Sequence, residues 1–175
     1  MGVSGSMVNI DHIPAEVRWR LATQAVNDLP FVYGMVYRNV VGEMYSRELD
    51  EASRQIWMEA GKEQAAVARA FALPVRNALQ VAQAFSTVCV LYMGPEMDNG
   101  EVRQGVGDSA VVTLERCPMF ARTQKFGMDP KKIMVDCRAY CTAGIQALNP
   151  DYEMKFVKSL CAGDAGCELR VEKKR

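Results

Sequence analysis

The hydrophobic pattern changes period near Gly94, and that change constrains the fold more than any other feature of the chain. Before Gly94, apolar residues recur every three to four positions, the repeat of a helix face; after it come turn signals, β-branched runs and most of the cysteines. An α+β protein is expected: an N-terminal helical bundle packed on a small antiparallel sheet with one further helix.

In the first half, Pro14 suits the first position of a helix. Val17, Leu21, Ala25 and Leu29 then follow at one-face spacing. Pro30 is expected to restart the chain, with Phe31, Met35, Val36 and Val40 continuing an apolar stripe to about Met44. Ser46 to Phe71 reads as a long third helix, and Val75 to Cys89, rich in alanine, as a fourth that neighbours can approach closely. Tyr33, Tyr37 and Tyr45, with Trp57 and Met58, read mainly as core; Tyr37 is also a candidate for substrate contact in an apolar pocket between helices.

Beyond Gly94, Asp98-Asn99-Gly100 and the stretch from Gly105 to Asp108 are turn signals around two strands, Glu101 to Gln104 and Ala110 to Cys117. Asp129 and Pro130 open a helix as cap and first residue, and Asn149-Pro150 close it. Two more strands, Glu153 to Leu160 and Cys167 to Val171, flank a glycine-containing loop. At 175 residues, with 49% hydrophobic and 24% charged side chains, one domain is expected. Met1 to Ser6 reads as a disordered leader extending to about residue 10.

Charge and motifs remove several functional classes. Twenty-one basic residues balance twenty-one acidic ones, which gives no electrostatic reason to expect a nucleic-acid or anionic-membrane partner. No apolar run is long enough to span a bilayer. Phosphate-binding glycine loops, H-E-x-x-H and G-x-S-x-G are all absent. The N-terminus lacks a secretory pattern, so a cytoplasmic protein with reduced thiols is expected.

Five of the six cysteines follow residue 115: Cys117, Cys137, Cys141, Cys161 and Cys167. Cys137 and Cys141 share a helix face, while Cys161 and Cys167 flank the last loop. If strands and helix pack together, Cys117, Cys137, Cys161 and Cys167 converge at a sheet edge, where four thiolates suit zinc or an iron–sulfur cluster. No C-x2-C pair supports that reading, and the lone His12 is a poor ligand. Burial as small apolar groups, or nucleophilic or redox use, are the alternatives.

Asp136 beside Cys137, and Asp164 between Cys161 and Cys167, are candidates to activate water or complete a metal site; Asp164 also reads as an Asx-turn residue. Cys137 and Asp164 are the candidate catalytic pair. Arg116 and Arg138 could fork onto a substrate carboxylate, although for these and Arg122 surface solvation is the simpler role. A short sheet with an uncovered edge would also favour a homodimer.

The order Arg116-Cys117-Pro118, Gly127, Asp136-Cys137, Asn149-Pro150 and the segment from Cys161 to Leu169 resembles the L-2-amino-thiazoline-4-carboxylic acid hydrolase family over about residues 110 to 171. It is similar, too, to the hydrocarbon-binding domains of the 4-vinyl reductase type, which end in a Gly-Asp-x-x-Cys hairpin. The first resemblance implies hydrolytic opening of a thiazoline ring towards cysteine. The second implies a small-molecule pocket, often with a cysteine-ligated zinc nearby. The positions carried over are Cys117, Cys137, Cys161, Asp164 and Cys167. Cys141 lies outside the pattern, and Cys161 stands where members vary. Three expectations follow: a small-molecule hydrolase, a non-catalytic module that binds or senses an apolar ligand, and a cluster-binding redox accessory.

Overall fold

The structure is a computed structural model that describes residues 10–174; the expected leader from Met1 falls almost wholly outside the described residues. Its elements run α1 (Ala15–Val41), α2 (Ser46–Ala70), α3 (Ala78–Met93), β1 (Gly100–Gln104), β2 (Ser109–Leu114), α4 (Pro118–Lys125), α5 (Pro130–Leu148), β3 (Tyr152–Lys158) and β4 (Cys167–Lys173), joined in places by single 3-10 turns. This is the expected α+β arrangement, with helices leading into an antiparallel sheet.

The sheet has the order β1-β2-β4-β3, and every neighbouring pair is antiparallel. Its register aligns Val102, Val112, Leu169 and Phe156 in one row across all four strands. Because side chains alternate faces along a strand, this row and the Gly100-Leu114-Cys167 row beside it share one side. That side is covered by α3 and α5, and α2 packs outside those two helices.

Local chemistry sets the element ends. The Asn77 side chain accepts from Gln80 N–H at the start of α3, and the Asp129 carboxylate accepts from Lys131 N–H at the start of α5. Pro130 occupies the first turn of α5, where its missing N–H costs nothing. Where α2 crosses α5, both chains present glycine: a Cβ on Gly61 would stand 2.2 Å from the Tyr140 carbonyl oxygen, and one on Gly144 would stand 2.6 Å from the Phe85 ring. This close crossing presses α5, the carrier of Cys137 and Cys141, towards the sheet.

Several expectations need correction. Pro30 does not restart the chain; α1 runs unbroken through it to Val41. Pro30 lies on an exposed side of the helix, where water can satisfy the carbonyl that loses its partner. The second half holds two helices instead of one, since Pro118 opens the short α4 directly after the strand. Finally, Arg122 is not solvated: it is 6% exposed and bonds Asp28 of α1 at 2.9 Å.

The apolar stripe of α1 departs from expectation as well. Phe31 is buried and stacks on Phe126 at 5.8 Å, but Leu21, Leu29, Tyr33, Tyr37 and Val40 are all exposed. Tyr45 is exposed too, whereas Trp57 packs edge-on against Tyr140 in the core. Among the described residues no helix is long and apolar enough to cross a membrane.

Candidate functional site

Between the covered sheet face and helices α3, α4 and α5 lies a cavity of about 280 Å³. All six cysteines line it: Cys89 from α3, Cys117 at the entry to α4, Cys137 and Cys141 from α5, Cys161 from the last loop and Cys167 from β4. None is in a disulfide. The remaining wall is mostly apolar, with Val112, Leu169 and Phe156 below, Phe85 and Tyr140 above, and Met93, Met119 and Met154 between them. Thioether side chains of this kind adapt to the shape of what they enclose.

Their elements bring five of the six thiols to the cavity. Cys137 and Cys141 are one helical turn apart, and their sulfurs stand 4.0 Å from each other. Cys167 pairs with Leu114 in the sheet register, so it shares that residue's face, and its sulfur accepts from the Leu160 N–H at 3.4 Å. Cys117 is the residue before Pro118, which forces an extended backbone and ends the approach from β2. Cys89 follows Val81, Ala82 and Phe85 on the buried face of α3.

The electrostatics divide the six. Burial pushes the thiols of Cys89 and Cys161 up to about 12 and that of Cys117 up to about 11. Burial raises Cys167 as well. Cys137 alone moves the other way: the Cys141 thiol donates to it, burial opposes this, and the Arg138 guanidinium adds a further favourable field. Cys141 is correspondingly held protonated by the same bond and by burial.

Two polar features border the apolar wall. Gln64, fully buried on α2, donates to the Tyr140 hydroxyl and to the Cys89 sulfur, so this polar set is satisfied internally. Asp136 accepts a 2.7 Å hydrogen bond from the Ser53 hydroxyl, and burial pushes its carboxyl above the usual range, with Asp50 adding to the effect. Asp136, Trp57 and Ile133 also line a wider groove between α1 and α2, so they form the partition between the two spaces.

The candidate residues separate accordingly. Cys117, Cys137, Cys161 and Cys167 come together around the cavity, joined by Cys141 and Cys89. Asp164 does not line it; its carboxylate accepts from the Ser159 N–H at 2.7 Å and ties the loop, reaching five residues back instead of two residues on as the expected Asx turn would. Neither Arg116 nor Arg138 lines it: both are exposed, and Arg138 lies over the outer side of Phe156 at 5.3 Å. Tyr37 lines the outer groove instead. His12 is exposed ahead of α1.

Among the described residues, no three His, Cys, Asp or Glu side chains converge closely enough to share one metal ion. Sequence patterning missed Gln64, Cys89 and Tyr140 as parts of this site. Cys89 sits 28 residues before the next cysteine on a helix that reads as core, and nothing marks Gln64 as inward.

Fold and site together define an α+β protein with a mostly apolar cavity lined by all six thiols, among which Cys137 alone is shifted towards ionisation. In comparisons with known proteins, no family model and no curated protein matches this chain.

Proposed function

We propose that this chain binds a compact, largely apolar small molecule in the cysteine-walled cavity. The observation that carries this reading is the wall itself: apolar side chains and thiols make up most of it, Asp98 and Asp136 are its only charged-type residues, and no Lys or Arg stands among the lining residues. An anionic ligand would enter without a counter-charge, and burying it unpaired costs more than the remaining contacts return. An engineered apolar cavity of about 150 Å³ holds benzene, so by proportion this one suits roughly ten to twelve non-hydrogen atoms. That is the size of a bicyclic aromatic or a short branched hydrocarbon. The resemblance to hydrocarbon-binding domains agrees with this class of ligand.

A second reading, ring-opening of a thiazoline carboxylate, draws support from Cys137. A thiol held below its ordinary range by a neighbouring donor is a competent nucleophile. Against it stands the distance of Arg116, Arg138 and Asp164 from the cavity wall, which leaves no group to hold a substrate carboxylate.

The test is calorimetric titration of the reduced protein with indole and quinoline, beside 2-amino-thiazoline-4-carboxylate, using wild type and Val112→Phe. Binding of the aromatic probes, lost when Phe fills the floor at Val112, supports the proposal. Binding or turnover of the carboxylate with no response to the aromatics would replace it with the hydrolase reading. Stoichiometric zinc or iron in anaerobically purified protein would overturn the assignment of the cavity to an organic ligand.

A further inference from the structure

α1 packs on the body through its polar side. Asn27 donates to the Tyr92 carbonyl at 3.0 Å, Trp19 donates to the Leu91 carbonyl at 3.1 Å, and Asp28 bonds both Arg122 and Lys125. The side turned away from these bonds carries Val26, Leu29, Tyr33, Val36 and Val40, spaced alternately three and four apart; Val26, Leu29 and Tyr33 also border the groove between α1 and α2. All five are between 47% and 76% exposed. A surface helix normally buries such a stripe and shows its polar side to water; here the orientation is reversed.

We infer that this stripe is a self-association surface, covered in solution by the same stripe of a second copy of the chain. Alternating three-four spacing is the seam of a helix that pairs with another helix along its length. From Val26 to Val40 it extends over about 21 Å at the usual rise per residue.

Charge favours a second copy over other occupants. In a twofold contact the same patch meets itself, residue i against j and j against i, so a seam carrying one uncompensated sign of charge would set like charges facing each other. Between Val26 and Val40 the only charged residues are Asp28 and Arg38, and both turn inward, Asp28 to Arg122 and Arg38 to Asp50 at 2.5 Å. A membrane surface would instead call for basic residues flanking the apolar face.

The area also fits. Half-exposed side chains of this size leave on the order of 100 Å² each in solvent, so with Tyr37 the stripe offers roughly 600 Å². That is already at the upper end for the largest apolar patch of a monomer. Ile56 of α2, 67% exposed on the same groove, carries it towards the roughly 800 Å² per partner of a stable interface.

The experiment is sedimentation velocity of the full chain from about 1 to 100 μM, with wild type, the double variant Leu29→Glu/Val36→Glu, and Val106→Glu as a control on an exposed hairpin tip. A wild-type dimer that is weakened at least a hundredfold in the double variant, with unchanged circular dichroism, and retained in Val106→Glu is expected. Tyr33→Cys supplies a check that does not depend on introduced charge. Tyr33 is the midpoint of the stripe, so in a parallel or an antiparallel pair it meets its own copy and forms an intermolecular disulfide on mild oxidation. A wild type monomeric at 100 μM, a dimer indifferent to the double variant, or a monomer that co-sediments with phosphatidylcholine–phosphatidylglycerol vesicles would each overturn the inference.

Discussion

Replacing Gly61 by alanine sets two opposing effects against each other. In an open helix the change is favourable by roughly 0.5–1 kcal/mol, because alanine has less backbone freedom to lose on folding. At Gly61 the added Cβ would stand 2.2 Å from the Tyr140 carbonyl oxygen and 3.2 Å from the Gly144 nitrogen. Both are backbone atoms of α5, so no side chain can swing aside. Relief requires α2 and α5 to separate by about an ångström, which loosens the packing around buried Gln64 and Phe85 and costs about 1–3 kcal/mol, as in other overpacked cores. The clash therefore outweighs the propensity gain, and the net expectation is a loss of about 1–2 kcal/mol. Gly34 supplies the matched control, since a Cβ there meets only the Met128 Cε, at 3.8 Å. Gly34→Ala should stabilise the protein by several tenths of a kcal/mol. Urea denaturation of both variants, read as shifts in midpoint at constant slope, decides the matter. A Gly61→Ala protein as stable as wild type would refute the argument that a glycine-mediated crossing fixes the position of α5.

Iodoacetamide labelling followed by mass spectrometry should modify Cys137 ahead of the other five thiols, with a pH midpoint below that of an ordinary thiol; Cys141→Ala removes the donor and should move that midpoint upward. The carboxyl of Asp136 is raised in the folded state, so the fold loses stability as pH climbs through the ordinary carboxylate range towards the folded value. Asp136→Asn should therefore gain stability over wild type at pH 7, with the advantage fading towards pH 3 in parallel thermal melts; an advantage that grows on acidification would contradict the assigned shift. Asp28→Ala removes the 2.9 Å partner of the buried Arg122 guanidinium, leaving it only the 4.0 Å contact to Glu96, and should cost about 3 kcal/mol in chemical denaturation, whereas Lys125→Ala, an exposed contact to the same carboxylate, should cost under about 1 kcal/mol.

Much of the fold is legible locally. The caps at Asp129 and Asn77, the turn chemistry around Gly100 and Gly105, and the β-branched run from Val111 to Thr113 all act within a few residues, so they can be read where they stand. The late cysteines also mark the stretch of chain that supplies five of the six thiols lining the cavity. What the chain order hides is distance: Cys89 joins the ring from α3 because α3 and α5 cover the same sheet face, a relation with no local signature.

Orientation, too, belonged to the tertiary structure. Periodicity shows that α1 has an apolar stripe but not which way that stripe faces, and the Asp28, Arg122 and Asn27 contacts turn it outward. For the same reason Asp164 and the arginines, grouped with the cysteines by sequence, lie off the cavity wall. By itself the sequence determined the element types, most of their ends and the part of the chain that carries the thiols, because helix and strand propensities, caps and turns are short-range. Only the packing decided that six thiols enclose one apolar space and that Cys137 is the one favoured for ionisation, because burial and proximity depend on which surfaces meet.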